Sequence, residues 1–119
     1  MVYLKRVFFI MVLGLNFSCE AQKCEPLEEN FKSYPSALKA IRAHVFTIKE
    51  RCDTSKSSWI LGAEYYSCNN KKGYLLITTK GKTYIHKDVP APIWTAFKKA
   101  DSFGEYYNAH IRNKYQLII

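Results

Sequence analysis

Three histidines and four cysteines are the side chains of this 119-residue chain best suited to chemistry. His86 and His110 would approach each other if the last helix packs over a sheet, with Cys68 as a conceivable third ligand. No pair has metal-ligand spacing such as Cys-x-x-Cys or His-x-x-x-His. A Cys/His nucleophilic pair lacks an orienting third group. We therefore expect no catalytic residue, no metal and no cofactor. What the residues do offer is a basic surface interleaved with aromatics. In an extended run Lys82-Thr-Tyr-Ile-His86, the side chains of Lys82, Tyr84 and His86 fall on one side. Lys71, Lys72, Lys80 and Lys87 sit in adjoining turns, and Arg112 and Lys114 add a rim. Net charge is +8. Residues 20–53 balance six basic against six acidic side chains, whereas residues 54–119 carry ten against four. Such a half-molecule suits anionic partners: nucleic acid, acidic glycan or lipid head groups. Plain solubility explains the same surplus.

These residues need elements to position them. Pro35 tolerates a first helical turn and Ser33 suits its cap. Leu38, Ile41, Val45, Ile48 and Cys52 then recur at three- and four-residue intervals, which predicts one amphipathic helix from Pro35 to Cys52. Asp53-Thr-Ser-Lys-Ser-Ser58 breaks it. Trp59–Tyr66, Tyr74–Thr79 and Lys82–His86 read as three strands. The turn formers Ser67–Gly73 and Lys80-Gly81 join them into an antiparallel meander. The faces of the first strand are ambiguous, because both Trp59/Leu61/Ala63/Tyr65 and Ile60/Tyr66 are apolar. Val89-Pro-Ala-Pro92 introduces a helix from Ile93 to Ala100. Ser102 and Glu105 have capping-box spacing, and Tyr107, Ile111 and Tyr115 follow at intervals of four as an inward stripe. Asn108 is expected to tie that helix to a strand. Gln116–Ile119 is an apolar tail laid back on the core. The fold expected is α+β: an N-terminal helix, a three-stranded antiparallel meander and two C-terminal helices packed on the sheet.

The N-terminus reads as an export signal. Lys5 and Arg6 precede the nine-residue apolar run Val7–Leu15, about 14 Å of helix and too short for a bilayer core of about 30 Å. Leu15-Asn-Phe-Ser-Cys19 resembles a lipobox, with lipidation at Cys19, although Asn16 stands where the pattern wants an aliphatic residue. Cleavage after Ala21 is the alternative. Residues 1–21 are thus the signal, 22–34 a polar tether, 35–56 the added helix and turn, and 57–119 the main domain. Location is expected as a membrane-anchored lipoprotein of a bacterial envelope, or as a periplasmic or secreted protein.

An exported chain can oxidise a cysteine pair. A helix from Pro35 packed antiparallel to the first strand puts its start, near Cys24, beside the end of that strand, near Cys68. Cys52 lies at the opposite pole, in the buried stripe. The expected disulfide is Cys24–Cys68, with Cys52 buried and reduced.

Ser57 to Tyr115 resembles the KTSC domain, a short module found alone in bacterial proteins and at the C-terminus of some lysyl-tRNA synthetases. The matching features are Ser57-Ser58-x-Ile60, Gly81-x-x-Tyr84, Val89-Pro90 and the closing run Ala100-x-Ser102-x-Gly104-x-Tyr106-Tyr107-Asn108-x-x-Ile111-Arg112-x-x-Tyr115. The family's central Tyr-x-Tyr stands here as Tyr84-Ile-His86. The resemblance implies a small α+β unit, no catalytic residues, and a suggested but unestablished RNA-binding role. The resulting expectation is an exported, non-catalytic binding module with a basic surface for an anionic or envelope partner. The alternatives are a nucleic-acid-binding domain and, less favoured, an enzyme.

Overall fold

The computed structural model describes residues 24–119. Residues 1–21, read above as an export signal, and Cys19 within them lie outside the described residues. Helix α1 (Tyr34–Ala43) is followed by strands β1 (Ile48–Cys52), β2 (Ile60–Ser67), β3 (Lys72–Thr79) and β4 (Thr83–Pro90), then helices α2 (Ala91–Lys99) and α3 (Phe103–His110). The four strands form one antiparallel sheet in sequence order. The mixed α+β class is as expected, but the sheet has four strands where three were expected.

The extra strand comes out of the expected long helix. α1 begins as read: Ser33 caps it by exchanging hydrogen bonds with Ser36, and Pro35 sits in the first turn. It stops at Ala43 because Val45-Phe-Thr-Ile48 is a β-branched and aromatic run that favours extended backbone. The apolar positions that look like one helical stripe go to opposite sides of the sheet. Ile41 packs on one face and Ile48 and Cys52 on the other, while Val45 lies 78% exposed. The described part of the expected tether, residues 24–34, packs against the rest of the fold. Leu27 and Phe31 pack on the sheet, and the Glu29 carboxylate accepts from the Tyr74 hydroxyl and from Lys87 Nζ.

Both sheet faces are therefore covered. α2 and α3 bring Trp94, Phe97, Phe103, Tyr107 and Ile111 onto Ile60, Ala63, Tyr65, Leu75, Ile77 and Val89. On the reverse face Ala37, Ile41, Phe46 and Leu117 cover Tyr66, Tyr74, Leu76 and Ile85. Irregular register reconciles these sets with strand alternation. A shift between Ile60 and Gly62 puts Ile60, Ala63 and Tyr65 on one face and leaves Leu61 exposed, which resolves the ambiguity of that strand. A second shift, opposite Asp88 with its φ of 57°, lets His86 and Val89 share a face although they are three apart. The C-terminal tail adds backbone bonds to the free edge of β4: Lys87 N–H donates to the Tyr115 carbonyl and Leu117 N–H to the Ile85 carbonyl. Among the described residues no helix is long and apolar enough to cross a membrane.

One ion pair fastens α1 to the sheet. Arg42 Nη2 lies 2.9 Å from Glu64 Oε2, and the Tyr66 hydroxyl donates to Glu64 Oε1 at 2.5 Å. Burial pushes the Glu64 carboxyl up, but the hydrogen bonds from Arg42 and Tyr66 outweigh it and hold the group below its ordinary value. A depressed carboxylate contributes stability above its unfolded value of 4.5, and that contribution drains away as pH falls through the lower folded value. Glu64→Gln should therefore cost about 1–3 kcal/mol at pH 7. Urea unfolding of variant and parent should converge as pH drops below that unfolded value.

Candidate ligand groove

A groove of about 310 Å3 opens between the end of α3, the β3–β4 hairpin and the C-terminal tail. Its lining includes Trp59, Thr79, Tyr84, His86, Tyr107, Arg112, Asn113 and Gln116, and among the described residues no acidic one. The floor is rigid. His86 is 3% exposed; its Nδ1 donates to the Leu75 carbonyl at 3.0 Å, and its Nε2 accepts from the Tyr107 hydroxyl at 3.0 Å. Burial lowers the imidazole's pKa, against the opposing pull of the Leu75 carbonyl, so the ring is neutral near pH 7. Burial also pushes the Tyr107 phenol up to about 12, so it is a neutral hydroxyl near pH 7.

The walls are aromatic. Trp59, 38% exposed, stands at 70° to the Tyr107 ring with centroids 5.9 Å apart. Gly104 makes room for it: a Cβ there would lie 2.9 Å from Trp59 Cε2. Glycine inside a helix costs roughly 0.5–1 kcal/mol relative to alanine. Here that cost secures the placement of one indole. Tyr84 sits at the rim, 37% exposed, with Lys82 Nζ 5.0 Å from its ring centre. Arg112 projects from the turn after α3, where Asn113 takes a φ of 66°, and its Nη1 donates to Asn108 Oδ1 at 3.4 Å.

The structure divides the basic residues expected to form one surface. Tyr84, His86 and Arg112 line the groove and Lys82 lies at its edge, but His86 is floor and not surface. Lys71 in the β2–β3 turn and Lys72 at the start of β3 lie at the far end of the strands, and Lys72 pairs with Asp88 at 3.8 Å. The Ser102 helix is also shorter than expected. The serine accepts from Glu105 N–H, yet the helix ends at His110, so Arg112 and Lys114 stand on turns. Tyr107 and Ile111 are buried and Tyr115 half-buried, as the stripe requires. Asn108 is exposed and holds Arg112 instead of tying the helix to a strand. Trp59, Thr79, Asn113 and Gln116 were not singled out as site residues by sequence. The one usable signal was Gly104, a glycine within an otherwise well-formed helix.

His86 and His110 do not meet, since His110 is exposed beside Tyr106 with ring centres 4.5 Å apart. Cys68 is bonded to Cys24, with Cα atoms 5.5 Å apart, at the end of β2. Cys52 is a half-buried free thiol. Among the described residues no group of three His, Cys, Asp or Glu side chains is arranged to hold a metal.

No curated protein and no solved structure matches this chain. A family model does, over residues 61–115, which contain β2 apart from Ile60, then β3, β4, α2, α3 and most of the groove lining, and exclude α1, β1, Trp59 and Gln116. That stretch, with its closing run from Ala100 to Tyr115, matches the KTSC domain.

Proposed function

We propose that this protein is an exported, non-catalytic binding module whose groove holds an anionic ligand, an envelope component in the first instance. The observation that carries the reading is the lining: two partly exposed aromatic rings, one guanidinium and several neutral hydrogen-bonding side chains, with no carboxylate among them. Binding is favoured over catalysis because both nitrogens of His86 are engaged and the Tyr107 hydroxyl is occupied by His86. Export, by lipidation at Cys19 or by ordinary cleavage, rests on the basic and apolar N-terminal residues and accords with the Cys24–Cys68 bond.

Inorganic phosphate is the simplest probe. Titrated into labelled protein against chloride at equal ionic strength, it should shift the backbone amides of Tyr84, Arg112 and Asn113, and Arg112→Gln should weaken the effect at least tenfold. Shifts centred on Lys71 and Lys72 would locate the anion site elsewhere and refute the reading.

Nucleic-acid binding is the second reading, favoured by the convergence of Lys82, Tyr84 and Arg112 at one end of the molecule. It ranks lower because Lys71 and Lys72 stand at the other end, so successive phosphates lack a continuous basic track. Single-stranded RNA binding with a steep salt dependence that Lys82→Ala reduces would promote it.

A further inference from the structure

We infer that the ligand of this groove is an acidic sugar, a single pyranose ring carrying one carboxylate; this rests on the anionic-ligand reading above. The volume of about 310 Å3 is at the small end for ligand sites, which run roughly 300–1,000 Å3, and accommodates one ring. Among the described residues Arg112 is the one cation in the lining. A guanidinium grips one carboxylate by paired hydrogen bonds, and its tie to Asn108 orients it for that task.

The ring type follows from the walls. Trp59 is held edge-on to Tyr107 and backed by the missing Cβ of Gly104, so it is a fixed platform with an exposed side. With Tyr107 turned edge-on to it, the indole has no parallel partner from this floor to sandwich a flat base. A pyranose needs only such a one-sided platform for its apolar C–H face. Its hydroxyls, each donor and acceptor, need partners that are also both. Thr79, Asn113 and Gln116 supply hydroxyl and amide groups of that kind. A base edge is met by fewer, directed contacts, and a neutral sugar would leave Arg112 unpaired.

The chain has two tryptophans, so the indole N–H resonances of the full-length protein give a site probe and an internal control. Trp94 is buried, with its N–H donating to Glu50 Oε1 at 2.8 Å. Titration with D-glucuronate should move and saturate the Trp59 resonance and leave Trp94 still. Affinity should exceed that for D-glucose at least tenfold, and Arg112→Gln should remove that advantage. Uridine 5′-monophosphate binding as tightly as glucuronate, or more tightly, would overturn the sugar assignment. So would an unmoved Trp59 in protein whose Arg112 amide does respond to phosphate, with the anionic groove itself left standing. Glucose binding equal to glucuronate would overturn both, as would the failure of every anion to shift Arg112.

Discussion

Phe97→Ala is expected to lower the unfolding free energy by about 3–5 kcal/mol, the range for a large aromatic removed from a core that cannot collapse around the void. Phe97 is fully buried at the centre of an aromatic stack. Trp94 lies 5.8 Å away and Phe103 5.1 Å away, both nearly parallel, and Tyr106 meets it edge-on at 6.2 Å. Rigid rings on three sides cannot close the gap as aliphatic side chains would. The variant also loosens the seating of α3 on the sheet. Phe103 and Tyr107 belong to the same core, and Tyr107 is half of the groove floor. A shifted urea midpoint with unchanged slope, and a Trp59 environment altered at a distance, is the expected pattern. A loss below about 1 kcal/mol would mean that α2 is not packed as described.

The disulfide should matter nearly as much, for a different reason. Cys24 and Cys68 are 44 residues apart, and closing such a loop is worth about 4 kcal/mol in the chain-entropy model. The bond staples the segment carrying Leu27, Glu29 and Phe31, together with α1, to the end of β2. Paired Cys24→Ser and Cys68→Ser substitutions should lower stability by that order, with the largest loss of amide protection on the reverse sheet face. Cys52→Ser should leave the unreduced peptide map unchanged. A map that links Cys52 to either other cysteine would contradict the arrangement.

How far the fold was legible depended on where local pattern and tertiary packing agreed. The meander and the last two helices carry their own turn chemistry, and Ser33 and Ser102 marked helix starts because a cap is a local interaction. The stretch from Leu38 to Cys52 misled because its apolar spacing fits a helix, while its residues serve two cores separated by a sheet. Nothing local announces that division except the β-branched run near Val45. The expectation of Cys24 bonding Cys68 came from a helix running to Cys52, a premise the structure corrects. The pair forms because β1 begins opposite the end of β2, with Ile48 facing Ser67, and Cys24 Sγ lies 3.3 Å from the Val45 carbonyl just before it.

The groove was half legible for similar reasons. Lys82, Tyr84 and His86 alternate as read, yet alternation names a shared side without saying how deep each residue lies. Tyr107 closes over His86 and leaves Tyr84 at the rim. Lys71 and Lys72 were grouped with them by closeness in sequence to the strands, and a strand's length separates the two turns. Trp59 and Arg112, which give the site its platform and its charge, come together only through Gly104 and the turn after α3.

The central claim is that Arg112 binds an anion in this groove, and its side-chain Nε–H resonance reports on it directly. Under phosphate titration at constant ionic strength that resonance should shift and saturate, with Tyr84 and Asn113 amides following the same curve. A resonance that stays put while the Lys71 and Lys72 amides move would contradict the account.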